Sequence, residues 1–195
     1  MKSKKVFVWM LIGSAVYIIA AASLLYVTKD LKKNIIRAYI AQEQNVIENL
    51  GQNEILRLQL ALINAQNQNL DLAVIEKKDQ LWMESQEQNL IIQTYLNNEI
   101  SQILKRIREA HPEFKEIFVT DQYGLIAGLT NRTSDYYQAD EGWWINTKTK
   151  SSYVGDIEFD ESARCWAYPV FYAVRDQTGN FLGVIKAVLD ITTAI

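Results

Sequence analysis

Residues 134–144, SDYYQADEGWW, gather two tyrosines, three acids and two tryptophans with almost no aliphatic content. Aromatic ring faces attract an ammonium group, and carboxylates beside them neutralise it. Tyr136, Asp140, Glu141, Trp143 and Trp144 are therefore the candidate lip of a pocket for an amine or another cation. The same run has a plain structural reading. Acids are favoured in the first turn of a short helix by its dipole, and the two tryptophans would then be core anchors. Both readings stand at this point.

Other chemistries find less support. The net charge is −3, with lysine and arginine scattered along the chain, so there is no basic field for nucleic acid. One cysteine, Cys165, excludes an internal disulfide and reads as a small buried hydrophobe in a strand. One histidine, His111, excludes a histidine-based metal site, and no metal is expected; it precedes Pro112 and is expected as a cation at a helix C-terminus. DIEFDESA, residues 156–163, has carboxylates that a hard cation would accept, but no glycine where a calcium loop needs one, so a solvated turn is expected. No phosphate-cradling glycine loop and no nucleophile elbow occur, so no enzyme activity and no cofactor are expected.

The elements that must position the aromatic run follow from pattern. Residues 1–5 are a basic flank, and residues 6–27 form an uncharged apolar run. That length suits a hydrocarbon core of about 30 Å, and it exceeds the apolar stretch of a typical cleaved signal. A transmembrane signal anchor is expected there. Lys2, Lys4 and Lys5 on one side are matched by Lys29, Lys32, Lys33 and Arg37 on the other, so charge alone does not orient it. Residues 28–110 favour helix, with apolar residues at helical spacing (Leu56, Leu60, Ile63; Ile92, Leu96, Ile100, Ile103). One unbroken rod would reach roughly 120 Å, so a break is expected within residues 64–83. The stripes serve core packing or a seam between two copies of the chain. After Pro112 the pattern becomes period-two and aromatic over residues 111–195. Five antiparallel strands are expected, with residues 152–159 as one of them and hairpin turns at Asp121–Gly124 and Asp176–Gly179. The fold class is α+β, a sheet with helices on one face.

The ordered set IFVTDQYGLIAGLT, SDYYQADEGWW, VGDIEFDESA and PVFYAVRDQTGNFLGVIKAVLDI resembles bacterial extracytoplasmic Cache (PAS-like, PDC-type) sensor domains. The likeness continues upstream through LDLAVIEKKDQLW and the helix NLIIQTYLNNEISQILKRIREAHPEF, covering residues 34–195. The resemblance implies a PAS-like sheet that cups a small ligand and a long helix that dimerises and carries a signal to the membrane. In the members that bind amino acids, a tyrosine, an arginine, a tryptophan, a second aromatic and a late-strand aspartate form the pocket. Tyr136, Trp143 and Trp144 stand at matching positions, and Asp190 matches the late aspartate. The arginine position holds Glu141, which repels a carboxylate where arginine would clasp it. The expected ligand is accordingly an amine or cation rather than an amino acid, with Asp140, Glu141 and Asp190 supplying negative charge.

The expectation is a single-pass protein of the inner membrane with its bulk in the periplasm, a small-molecule sensor of bacterial signal transduction that dimerises through its long helix. The alternative takes the end of the chain soon after its last strand literally: an accessory or scaffolding subunit of a membrane assembly that uses the same fold to bind a protein. A cavity lined by Tyr136, Trp144 and Asp190 would favour the sensor. A filled core with an exposed apolar stripe along residues 31–63 would favour the subunit.

Overall fold

The computed structural model describes residues 2–160 and 164–192, and of residues 2–20 only the helical course. In chain order the elements are α1 (Lys2–Gly51), α2 (Glu54–Asn67), α3 (Leu72–Glu84), α4 (Leu90–Leu96), α5 (Glu99–Ala110), β1 (Phe114–Asp121), β2 (Ile126–Leu129), α6 (Gly142–Lys150), β3 (Ser152–Val154), β4 (Glu158–Asp160), β5 (Cys165–Arg175) and β6 (Phe181–Asp190). Met1–Ala41 belong to one unit, and Gln42–Thr193 form a second, compact one. No helix among the described residues is long and apolar enough to cross a membrane. The expected span at 6–27 falls largely on residues 6–20, whose side chains lie outside those described.

The helical region is cut four times, more often than the single break expected. Asparagine and aspartate do the cutting. Asn53, Asp71, Asn89 and Asn98 each stand at a helix N-cap and accept from a backbone N–H of the first turn: Leu56 at 3.0 Å, Ala73 at 3.1 Å, Ile91 at 2.9 Å and Ser101 at 2.9 Å. Such a side chain satisfies a donor that the helix itself leaves open. The expected helix over 84–110 is thus two, α4 and α5, divided at Asn97 and Asn98.

The sheet is antiparallel with strand order β2-β1-β6-β5-β3, and β4 also pairs β5. It has six strands rather than five because the segment expected as one strand is split. β3 pairs β5 at Val170–Tyr172 and β4 pairs it at Cys165–Ala167. The gap lies opposite Pro169, which has no N–H to offer an edge neighbour. Only the Gly155 N–H still reaches across, donating to the Pro169 carbonyl at 2.8 Å. Cys165, expected to be buried, is half-buried where β5 begins.

Period-two alternation gives the sheet two distinct faces. Ile117 and Val119 of β1, Val170 of β5, and Ile185, Ala187 and Leu189 of β6 are buried on the face that packs against α2 and α5. Phe118, Lys186, Phe171 and Tyr153 form a cross-strand row on the other face, toward α6. The end of α1 lies so close to the helix-side face that a Cβ on Gly51 would come within 2.2 Å of the Tyr172 ring. Gly51→Ala should therefore lower stability by about 1–3 kcal/mol through overpacking, read as a lower urea midpoint at unchanged slope. A Tyr172→Leu background should remove most of that penalty.

Candidate functional site

Most of the expected site residues hold the fold together. Tyr136 is buried in a cluster with Trp82, Phe118 and Leu125. Its hydroxyl lies 3.1 Å from that of Tyr95 and accepts from the Lys78 ammonium at 3.0 Å. The same ammonium donates to the Tyr95 hydroxyl and stands 4.3 Å from the Tyr136 ring centre and 5.0 Å from that of Tyr95. Burial, and then the Tyr95 phenol beside it, push the Tyr136 hydroxyl up, so it stays a neutral donor. α3 is pinned along this loop: Asp79 accepts from the Tyr136 and Tyr137 amides at 2.6 and 3.0 Å, and the Trp82 indole donates to the Thr133 carbonyl at 3.0 Å.

Trp144 is 5% exposed, and its indole N–H donates to the Thr120 hydroxyl at 2.9 Å, fixing α6 to β1. Lys148 lies 5.3 Å from its ring. Trp143 is half-buried, stacks on Phe171 at 5.3 Å and meets Phe118 edge-on at 5.9 Å. Lys186 lies 5.2 Å from its ring. Each ring offered to a ligand cation thus already has a lysine of this chain beside it.

The expected acids are placed elsewhere. Asp140 and Glu141 are exposed. Glu141 is the N-cap of α6 and its carbonyl accepts from the Trp144 amide at 3.0 Å, while its side chain makes no capping bond. Asp190 sits six residues along β6 from Val184, the partner of Thr120, which is about 20 Å at the rise of a strand. It accepts from the Thr192 amide and hydroxyl at 2.8 and 2.6 Å and faces Lys115 at 3.4 Å. Burial pushes its carboxyl up, but the Thr192 donors and the Lys115 ammonium outweigh it and hold the group below the usual range.

What the fold does assemble is a cavity of about 340 Å³ between α6 and the 155–158 break, around Trp143, Tyr153, Asp156, Glu158, Phe171 and Lys186. A smaller one of about 200 Å³ lies on the other side of Lys186, bounded by Glu116, Phe118, Ser134, Gln138 and Asp160. Asp156 and Glu158 are exposed, as expected, and they also border this cavity. The signal for them was present as a glycine followed by acids, facing a strand interrupted by proline. Of the expected six, Trp143 alone lines this cavity.

No protein-family model matches the chain, and no curated protein matches it. Solved structures do. The ligand-binding domain of the Campylobacter jejuni chemoreceptor Tlp3 in complex with 4-methylisoleucine aligns with a TM-score of 0.52 at 12% identity, over 83% of this chain and 55% of that one. The same domain in complex with L-norvaline aligns with a TM-score of 0.51 at 11% identity, over 83% and 55%. The sensor domain of the V. cholerae histidine kinase DctB gives 0.50 at 14% identity, over 84% and 53%. This chain spans about half the length of the sensor domains it matches. It has the Cache, or PDC-type, fold of sensory ligand-binding domains, and these structures are sensory modules rather than enzymes.

Two expectations follow from the site. Lys78→Met should lose about 2 kcal/mol, because it removes a charged hydrogen bond and cation–π contact from the Tyr95–Tyr136 pair, measured by chemical denaturation. Asp190 has a folded pKa below its unfolded value of about 3.9, so its contribution is present above that value and is lost as pH falls through the folded one. Asp190→Asn should lower stability at neutral pH and flatten the acid limb of a stability–pH curve.

Proposed function

We propose that this chain is a membrane-anchored, extracytoplasmic small-molecule sensor of bacterial signal transduction, anchored by residues 6–27. Its ligand occupies the cavity between α6 and the 155–158 break and carries an ammonium group beside a carboxylate. The observation that carries this reading is the make-up of the lining: Lys186, Asp156 and Glu158 are gathered around one cavity with Trp143, Tyr153 and Phe171. The two acids suit an ammonium, as expected for an amine. Lys186 supplies the carboxylate partner that Glu141 denies, so a small zwitterion fits better than a bare amine. The volume suits a ligand of amino-acid size. The amino-acid ligands of the matched Tlp3 domain, L-norvaline among them, are of this class.

The accessory-subunit reading also has an observation in its favour. Tyr136 and Trp144 are core, and Ile55, Leu58 and Leu62 are half or more exposed on one face of α2. Such a stripe would serve a protein partner or a second copy of this chain equally well.

A thermal-shift screen of the full chain against amino acids, amines and carboxylates separates the two. A ligand at a hundredfold excess over its dissociation constant should stabilise by about 2.7 kcal/mol. Asp156→Asn should weaken amines and amino acids alike. Lys186→Ala should weaken amino acids and spare amines. Absence of any shift across all classes would transfer the reading to the accessory subunit.

A further inference from the structure

Away from the ligand cavity, three side chains converge where α1, α5 and β1 meet. α5 ends on His111, whose amide donates to the Ile107 carbonyl at 2.9 Å, and Pro112 then turns the chain toward Glu113. The His111 imidazole Nδ1 lies 3.1 Å from Glu113 Oε1 and 3.4 Å from Glu43 Oε2 on α1. Donor atoms of all three residues lie within 4.8 Å of one another.

Glu43 makes this more than a chance grouping of acids. It is 1% exposed, and while Oε1 accepts from Gln42 at 3.1 Å, Oε2 is buried with no hydrogen-bond partner. Buried carboxylate oxygens are almost always paired, and an orphan calls for an explanation. The orphan points at the imidazole nitrogen, which has one proton at most to give and already bonds Glu113. Glu113 Oε1 and Glu43 Oε2 thus converge on one nitrogen, a pair of carboxylates that a shared cation can bridge.

We propose that Glu43, His111 and Glu113 form a binding site for a divalent d-block cation, with Zn²⁺ as the reference ion. Ligand atoms about 2.0–2.1 Å from a tetrahedral zinc stand about 3.4 Å apart, close to the 3.1 and 3.4 Å from the imidazole nitrogen to the two carboxylates. The imidazole nitrogen selects such a metal over calcium or magnesium, which prefer oxygen alone. His111, 33% exposed, lies at the solvent edge and leaves a fourth position to water. With the metal bound, the last turns of α1 are tied to the corner between α5 and β1. The site uses one histidine and two acids, a set that a count of histidines passes over.

The test uses the full chain after chelator treatment, with Zn²⁺ alone as the added ion. Wild type should bind one equivalent in competition with a chromophoric chelator and melt at higher temperature when loaded. Glu43→Gln, which keeps the shape and removes the ligand, should weaken binding at least tenfold and abolish the thermal shift. Should that buried variant fail to fold, Glu113→Gln at the partly exposed position should show the same loss. Co²⁺ bound at the site should give a visible spectrum that is missing in His111→Ala. Unchanged Zn²⁺ affinity in a folded Glu43 or Glu113 variant would overturn the assignment. So would a wild type that binds less than one equivalent, or one for which Ca²⁺ competes as well as Zn²⁺.

Discussion

An ammonium in the middle of an antiparallel sheet must keep its solvation or find partners, and Lys186 imposes that condition on everything around it. Its cross-strand neighbours, Phe118 and Phe171, are aromatic and offer ring faces but no counter-charge. The anions come from farther away: Glu116 on β1, Asp160 on β4, and Asp156 and Glu158 at the break. Space for solvent or ligand remains on both sides of the lysine, and that space is the two cavities. Replace Lys186 by valine and the row from Phe118 to Tyr153 would be apolar throughout, a strip that α6 could close with Trp143.

The larger cavity depends equally on Pro169. An unbroken edge strand beside β5 would carry its side chains alternately into and away from the cavity and leave no loop to wall it. Proline removes the donor at the centre of β5, the edge neighbour parts at residues 155–157, and Asp156 of the resulting loop, with Glu158 at the start of β4, borders the cavity that the aromatic row lines. Gly155 is required there because a Cβ would meet the Pro169 ring at 2.7 Å. A backbone limitation in one strand thus becomes the side of a cavity beside the next.

Much of the sheet was legible in the sequence, because period-two alternation and the turns at Gly124 and Gly179 are local signals. The helices were less so. Glycine and proline are nearly absent between residues 14 and 123, and the breaks came instead from asparagine and aspartate caps, which in an Asn-rich segment look like any other polar position. Of the six residues expected at a site, Trp143 alone lines the cavity beside α6. Tyr136 and Trp144 have the right residue types, but whether a ring faces a ligand or the core depends on what lies over it, and Lys78 comes from a helix nearly sixty residues upstream. Asp190 lies away from that cavity for a simpler reason. Its strand and face are those of Lys186, but four residues of rise, about 13 Å, carry it to the far end, beside Lys115.

That far end gives β6 a second significance. The Asp190 amide donates to the Glu113 carbonyl at 2.9 Å, so the strand carrying Lys186 is hydrogen-bonded to the residue whose carboxylate meets His111 and faces Glu43 of α1. The cavity beside the middle of β6 and the candidate metal cluster beyond its C-terminal end are therefore linked by four residues of one strand and its terminal hydrogen bond. Contiguity becomes coupling only when an element has two arrangements that both sites bias. A ligand that moved β6 by a fraction of an ångström would change the Glu113 position and with it the fit of the cation. By reciprocity the cation would then change the affinity for the ligand by the same factor.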